Sequence, residues 1–437
     1  MKIKKFTALI MAATMGGWLM TGCGGNTSTN TSESASTNSA TDTTETGDAK
    51  ASDAEIQPTT ITFWHVMTGV QETCLVELTD QFNAENEYGI TVELINQGYL
   101  SDLSTKLTAS AVADTLPDMA QAYNSYVYKY LDKVVHLDDF VANDFDNWDD
   151  IVKSYREENS EFGFISGVPF NKSTYVLYYN KTMFDELGLS VPETWDDLLS
   201  VGETIKSQKN LSAIGYDDLY GALEAILHQN GEDCVSEEGA LFDTEGGLEA
   251  VTFLMDMYNN GYARLVGEDG YFSTVISNQM VGAYVGSTAG VSFIDTSSGW
   301  ELGVAPLPGN VQKAANMAGT NLMMFAKDEN NQKAVWEFMK FLTSADATLK
   351  WSMETGYLPV RQSVYESDTY QEFMEGDATA TAAYSQVDAF FASPNNFSGS
   401  YDVRRDVNTK LEELFTEKAD GETALSELVE TINSDIK

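Results

Sequence analysis

The run Thr60-Ile61-Thr62-Phe63-Trp64-His65 has the composition of a β-strand and opens a region in which strand-like and helix-like hydrophobic spacing alternate. The segments that follow are a helix over residues 71–84, a strand at residues 90–94, a helix over residues 101–113 and a short strand at residues 117–120. Strands that are joined through helices lie parallel in one sheet, with right-handed crossovers. The order β-α-β-α-β therefore predicts an α/β fold with a parallel sheet.

A second region of the same kind begins near Tyr175. Its predicted strands and helices are strands at residues 176–179, 280–285, 302–306 and 322–326, and helices after Pro192 and over residues 248–258. From Gln332 onward the hydrophobic spacing is helical almost throughout. The chain shows no internal repeat, and its 437 residues suggest two or three domains.

The charge and the few cysteines and histidines exclude several classes of function. The chain has 67 acidic and 25 basic residues, a formal charge of −42, so it lacks the basic surface that binds nucleic acid or anionic lipid. Its three cysteines cannot form a disulfide framework, and neither they nor the three histidines follow a zinc-binding pattern. We therefore expect no nucleic-acid partner, no metal and no cofactor.

The first 57 residues are predicted to direct and anchor the protein rather than to fold. Three lysines, an apolar stretch too short to span a bilayer, and small residues before Cys23 indicate a signal peptide over residues 1–22. The sequence Met20-Thr21-Gly22-Cys23 resembles a bacterial lipobox, which implies that Cys23 is lipidated. Residues 23–57 are rich in Ser, Thr, Asn and acids, as in a disordered tether. An ordinary signal peptide followed by an unrelated cysteine is the alternative.

Six short motifs, in this order along the chain, resemble the bacterial extracellular solute-binding proteins of the carbohydrate-uptake class. The motifs are Phe63-Trp64-His65, Pro169-Phe170-Asn171-Lys172-Ser173-Thr174, Leu177-Tyr178-Tyr179-Asn180-Lys181, Thr194-Trp195-Asp196-Asp197-Leu198, Thr355-Gly356-Tyr357-Leu358-Pro359-Val360 and Tyr401-Asp402-Val403-Arg404. Within that family, the pattern is most similar to the members that bind glycerol 3-phosphate.

The resemblance implies a two-lobed α/β periplasmic-binding-protein fold with a cleft between the lobes and a hinge. We expect residues 58–172 and 286–327 in the N-terminal lobe, and residues 173–285 and 328–437 in the C-terminal lobe. The protein would be a monomer that delivers its ligand to the membrane permease of an ABC importer. With lipidated Cys23, it would be held on the extracellular face of a Gram-positive-type cell membrane.

The candidate ligand-binding residues combine aromatic rings with short or charged polar groups, as the flat C–H faces and hydroxyl rim of a sugar require. His65 and Tyr123 end predicted strands, where ligands gather in parallel sheets. The other candidates, placed mainly by the family resemblance, are Tyr99, Ser173, Thr174, Tyr220, Ser287, Gly319, Tyr357 and Arg404. Tyr220 and Tyr357 are expected as stacking faces, and Arg404 as a charged donor.

Asp217 and Asp218 bear on the identity of the ligand. They stand in Tyr216-Asp217-Asp218-Leu219-Tyr220, where the glycerol-phosphate-binding relatives carry two tryptophans. Carboxylates accept hydrogen bonds from sugar hydroxyls and repel phosphate, so we favour a neutral sugar or oligosaccharide. Glycerol 3-phosphate or a glycerophosphodiester is the alternative. A surface glycoside hydrolase is a weaker alternative because no sequence feature nominates a catalytic carboxylate pair.

Overall fold

The computed structural model describes residues 56–436, so the predicted signal peptide, Cys23 and most of the tether lie outside the described residues. The strands are β1 (Thr59–His65), β2 (Ile90–Asn96), β3 (Met119–Ala122), β4 (Val168–Asn180), β5 (Val235–Ser236), β6 (Gly239–Ala240), β7 (Ala283–Ser287), β8 (Leu302–Ala305), β9 (Ala315–Met324) and β10 (Phe390–Phe391).

Helices cover most of the remaining chain, in agreement with the helical spacing after Gln332. They are α1 (Gly69–Glu85), α2 (Leu100–Ala113), α3 (Asn124–Val127), α4 (Asp138–Asp144), α5 (Lys153–Asn159), α6 (Lys181–Leu187), α7 (Trp195–Lys209), α8 (Leu219–Gln229), α9 (Glu245–Asn259), α10 (Phe272–Ser277), α11 (Glu329–Leu342), α12 (Ala345–Thr355), α13 (Gln362–Tyr365), α14 (Asp368–Gly376), α15 (Ala378–Tyr384), α16 (Ser400–Glu417) and α17 (Gly421–Asp435).

The parallel arrangement predicted for the first three strands is confirmed. β1 pairs in parallel with β2 on one side and with β3 on the other. Ile61 and Phe63 of β1 are fully buried, and they share a hydrophobic core with Leu75 and Leu78 of α1. The helical spacing of the apolar residues in α1 therefore places its buried face on the sheet.

Two long strands connect this sheet with a second group of strands. The full order is β2-β1-β3-β9-β4-β7, and β8 also pairs with β4. The first half of β4 pairs antiparallel with β9, whereas the second half pairs antiparallel with β7 and β8. β9 in turn pairs with β3 and with β4. β4 and β9 therefore belong to both groups of strands.

Gly319 is required where β4 and β9 approach each other. Its φ is +100°, a conformation that other residues rarely adopt, and a Cβ at this position would lie 1.9 Å from the backbone oxygen of Asn171. Glycine thus permits the close pairing of the two shared strands.

Hydrophobic cores flank these shared strands on both sides. On the side of β1–β3, the core includes side chains of α1, α11 and α12; on the other side, a separate core unites α8, α9, α16 and α17. The lobe boundaries remain predictions. Because Trp336 of α11 and Trp351 of α12 lie in the core of β1, the packing favours a boundary after α12 rather than at residue 327.

Among residues 56–436, no helix has the length and apolar character needed to cross a membrane. No group of three or more His, Cys, Asp or Glu side chains there is placed to hold a metal ion.

Candidate functional site

A cavity of about 620 Å³ lies between the core regions, with residues 316–319 of β9 on its wall. Its lining residues come both from the side of β1–β3 and from the side of α8 and α16. The lining residues are Leu100, Tyr123, Ser125, Tyr126, Glu158, Tyr175, Tyr216, Asp217, Asp218, Leu219, Leu265, Val266, Tyr271, Asn316, Met317, Ala318, Gly319, Ser393, Asn395, Tyr401, Arg404, Asn408 and Glu412. The volume is within the range of cavities that enclose a small-molecule ligand.

Tyrosines dominate the aromatic surface of the cavity, which six of them line. Tyr123 and Tyr126 meet edge to face with ring centroids 5.3 Å apart, and Tyr126 makes a similar contact with Tyr401 of α16 at 5.5 Å. The last contact joins residues from opposite sides of the cavity. Such rings offer both an apolar face and a hydroxyl, the two features that a sugar requires.

Arg404 is neutralised by a carboxylate of the protein itself. It forms an ion pair with Asp218, and its guanidinium lies over the ring of Tyr220, 5.1 Å from the ring centroid. The hydroxyl of Tyr175 donates to the same oxygen of Asp218 at 2.9 Å. Because Asp218 compensates the charge of Arg404 and Tyr175 orients Asp218, the group presents fixed donors with little net positive charge.

Further carboxylates line the cavity. Asp217 opens onto the cavity and accepts a hydrogen bond from the backbone N–H of Phe272 at 2.8 Å. Burial nevertheless raises the pKa of Asp217 to about 6, because it removes water from the carboxylate. Glu158 also lines the cavity and is paired with Lys172, whose side chain is fully buried.

Glu224 lies fully buried behind the wall. Burial raises the pKa of this carboxyl to about 7, against the opposing effect of the charge on Arg404. One oxygen accepts a hydrogen bond at 2.5 Å from the hydroxyl of Ser393, a cavity-lining residue, while the other has no partner. A buried carboxylate without a full set of partners is costly, so Glu224 favours a proton or a donor nearby.

Asn316 is a second polar residue with an unused group. It lies on the cavity wall and is 3% exposed, and its side-chain oxygen has no hydrogen-bond partner. Its backbone oxygen accepts from the hydroxyl of Thr174 at 2.9 Å. The backbone at Asn316 is therefore fixed, while the side-chain oxygen remains without a partner.

Three of the predicted ligand-binding residues, Tyr123, Gly319 and Arg404, line the cavity. Burial raises the pKa of the Tyr123 hydroxyl, and the nearby Tyr126 and Tyr357 raise it further by smaller amounts. Tyr99 does not line the cavity, but it precedes Leu100, which does, and it is 75% exposed. Its role in ligand binding remains a prediction.

The other predicted residues do not lie on the cavity wall. His65 is buried and accepts from the backbone N–H of Met67 at 3.2 Å, and Ser287 accepts from the N–H of Ala289 at 3.2 Å. Ser173 and Thr174 are buried within β4. Their roles in ligand binding remain predictions.

The two predicted stacking tyrosines also pack against protein. Tyr357 stacks on Trp351, with ring centroids 5.7 Å apart, and is hydrogen-bonded to Asn171. Tyr220 is 3% exposed and lies under Arg404. Tyr220 can act on a ligand by holding Arg404, which differs from the direct stacking expected from the sequence.

Sequence reasoning missed most of the aromatic wall. Tyr126, Tyr175, Tyr216, Tyr271 and Tyr401 line the cavity but were not among the predicted site residues. The sequence carried a signal for two of them, because Tyr216 stands beside Asp217 and Asp218, and Tyr401 stands in the motif Tyr401-Asp402-Val403-Arg404. The others could not have been selected from 21 tyrosines without knowing which loops meet.

Two core regions joined by shared strands, with a polar and aromatic cavity between them, define a two-lobed binding protein. The family model described as bacterial extracellular solute-binding protein matches residues 77–380. Because that match covers more than half of the chain, the protein belongs to this family. The family expected from the motifs is confirmed.

One relative is similar over nearly its whole length. The sn-glycerol-3-phosphate-binding periplasmic protein of Escherichia coli K12 is 26% identical over 405 residues, which cover 86% of this chain and 92% of that protein.

Solved structures confirm the two-lobed α/β fold. The cyclic α-maltosyl-1,6-maltose binding protein of Arthrobacter globiformis is 24% identical with a TM-score of 0.77, and the match covers 87% of this chain and 99% of that one. A protein of Mycobacterium tuberculosis that was solved in complex with glycerophosphocholine is 21% identical with a TM-score of 0.76, covering 86% and 98%. Identities this low indicate a shared fold and leave the ligand open.

Proposed function

We propose that this protein captures a sugar or oligosaccharide in the cavity and delivers it to the membrane permease of an ABC importer. The observation that carries the proposal is the pairing of Arg404 with Asp218 in a cavity lined by six tyrosines. Tyrosine rings match the C–H faces of a sugar, while the carboxylates and the guanidinium match its hydroxyls. Binding without chemical conversion of the ligand requires no further group.

A glycerophosphate ligand is the second candidate. It is favoured by the presence of Arg404 on the wall and by the names of the relatives in E. coli and M. tuberculosis. Against it, Asp218 pairs with the guanidinium, and its neighbour Asp217 also lines the cavity. A phosphate would have to approach these carboxylates, whose repulsion is strong at short range in a partly desolvated site.

A thermal-shift screen distinguishes the two candidates. A ligand that binds the folded state raises the melting temperature by mass action. We expect saccharides to stabilise the protein and glycerol 3-phosphate and glycerophosphocholine to leave its melting temperature unchanged. Stabilisation by the phosphates alone would replace the saccharide proposal with the glycerophosphate one. Analysis of the saccharide recovered after incubation serves as the control for hydrolysis, since cleavage would indicate a glycoside hydrolase.

The proposal includes anchoring of the chain through Cys23. The lipobox-like sequence before Cys23 and the polar tract after it support a lipoprotein that is held at the cell membrane. Mass spectrometry of the mature N-terminus should show a diacylated cysteine. Retention of Cys23→Ala in the membrane fraction would argue against this anchor.

A further inference from the structure

Residues 392–396 form a short strap on the wall of the cavity, which Ser393 and Asn395 line. The strap follows β10, which pairs with β9, and it ends at Phe397, which is buried in the core shared by α8 and α16. The side-chain amide of Asn395 donates to the backbone oxygen of Ser393 at 2.8 Å and so fixes the shape of the strap. The strap is therefore anchored on the side of α8 and α16.

A buried glutamate holds the strap on its own side. The hydroxyl of Ser393 donates to Glu224 of α8 at 2.5 Å, and the other oxygen of Glu224 has no hydrogen-bond partner among the described residues. The titratable groups that face Glu224 are Asp218, Tyr220, Cys234 and Arg404. Because Arg404 is already paired with Asp218, this incomplete set of partners suits a protonated carboxyl.

A second glutamate meets the strap from the other side of the cavity. Glu161 stands in the turn between α5 and β4, and Phe164 of the same turn packs against the core that contains β3. Glu161 accepts from the side-chain amide of Asn124 at 2.7 Å and from the backbone N–H of Asn395 at 3.4 Å. The side-chain amide of Asn396 donates to the backbone oxygen of Glu161, also at 3.4 Å. The contacts between the strap and Glu161 therefore join the two sides of the cavity.

The surroundings of Glu161 favour its protonated form. The groups that face it are Asn124, Glu158, Lys172 and Asn395, and the cation among them, Lys172, is already paired with Glu158. Burial raises the pKa of Glu161 to about 7, against the opposing effect of the amide of Asn124. When the strap leaves Glu161, water reaches the carboxyl and its pKa returns toward the ordinary value. Contact between the strap and Glu161 is therefore coupled to the uptake of a proton.

We propose that residues 392–396 act as a proton-operated latch, which protonated Glu161 holds across the cavity and ionised Glu161 releases. Glu161 binds its proton more tightly in the latched state than in the released state. Latching is therefore favoured in acid and is lost as the pH rises through about 7. Release separates the two sides of the cavity at this point, so the cavity holds its contents more firmly in an acidic medium than in an alkaline one. The latch goes beyond the proposed function and applies to a sugar or a glycerophosphate alike.

Hydrogen exchange of the strap tests the latch without any ligand. Mass spectrometry of the full-length protein measures the amide protection of residues 392–397 at pH 6 and pH 8, corrected for the intrinsic exchange rate. With a pKa of about 7 in the latched state and an ordinary value of 4.5 after release, protection should fall about tenfold between these pH values. Glu161→Gln keeps an acceptor oxygen but cannot ionise, so it should retain its protection at pH 8. Glu157→Gln, at a side chain of α5 that is 63% exposed, is the matched control and should show the wild-type fall.

Asn396→Ala is a second, milder variant at an exposed residue. It removes only the side-chain hydrogen bond to the backbone of Glu161, so it should lower protection at both pH values and keep the tenfold ratio. Equal wild-type protection at pH 6 and pH 8 would overturn the latch, and so would a tenfold fall that Glu161→Gln retains. Wild-type protection in Asn396→Ala would show that Glu161 does not hold the strap, which also overturns the proposal. Each of these outcomes leaves the proposed saccharide function intact.

Discussion

Arg404 and Asp218 form an ion pair on the wall of the cavity, so the guanidinium that could attract a phosphate is already neutralised by the protein. Arg404 is also the one lysine or arginine among the described residues that line this cavity. A ligand therefore meets oriented hydrogen-bond donors and acceptors rather than a concentration of positive charge. This arrangement is suited to hydroxyl groups.

Replacement of Arg404 by alanine should weaken saccharide binding. The change removes the donors of Arg404 and leaves Asp218 without its counter-ion, which should cost about 1–2 kcal/mol of binding free energy. Calorimetric titration measures the change. Arg405→Ala is the matched control, because Arg405 is 54% exposed and pairs with Asp402 and Asp406 on the surface. An equal loss of affinity in both variants would show that the effect is not specific to the cavity.

Gly319→Ala should destabilise the fold. The added Cβ would lie 1.9 Å from the backbone oxygen of Asn171, at a residue whose φ is +100°. Strain of this kind costs on the order of 1–3 kcal/mol, so denaturant unfolding should show a loss of about 2 kcal/mol or more. Gly290→Ala is the control, since a Cβ there meets no atom within 4 Å. A Gly319→Ala protein with wild-type stability would contradict the close pairing of β4 and β9.

The shared strands β4 and β9 were predicted only in part. The continuous hydrophobic run at residues 176–179 indicated the second half of β4, but Pro169, Asn171 and Lys172 obscured its first half. Lys172 can be fully buried in a strand because Glu158 pairs with it. The antiparallel position of β9 between β3 and β4 depends on long-range packing, which local periodicity does not encode.

The same limit applies to the candidate site. Arg404, Gly319 and Tyr123 could be placed on the cavity from family resemblance or from their position after a strand. Tyr126 and Tyr401 belong to separate helices and meet only because the chain folds back. Residue type alone did not distinguish them from the tyrosines of the core.

Two buried carboxyls should lower the stability as the pH rises from about 4.5 to about 7. The folded pKa of Glu224 is about 7, above the ordinary value of 4.5, so this group binds more protons in the folded state than in the unfolded state in this range. Burial likewise raises the pKa of Glu161 to about 7. Burial lowers the pKa of His65 and His228, which opposes the two carboxyls below about pH 6.5. Above that pH the carboxyls alone act, so the melting temperature should be higher at pH 6.5 than at pH 8.

Glu224→Gln isolates the contribution of that carboxyl. The variant removes the group that loses its proton near neutral pH, and it should reduce the pH dependence of the free energy of unfolding by up to about 3 kcal/mol. Glu238→Gln, at an exposed residue, is the control. An unchanged pH profile in Glu224→Gln would show that Glu224 is ionised in the folded protein without cost.

Ligand binding should bring the two sides of the cavity together. Because β4 and β9 link the two core regions and the cavity lies between them, a ligand that contacts both sides favours the closed arrangement. Small-angle X-ray scattering should show a smaller radius of gyration with a saturating saccharide. Identical profiles with and without a saccharide that demonstrably binds would count against a closing cleft.

Competition calorimetry tests the central claim most directly. The purified protein is titrated with the most stabilising saccharide from the thermal-shift screen, first alone and then in the presence of excess glycerol 3-phosphate. We predict one binding site per chain with a dissociation constant of about 1 µM, equivalent to about −8 kcal/mol, and no loss of affinity with the phosphate present. Binding of glycerol 3-phosphate in place of the saccharide would contradict the assignment of this cavity to a sugar.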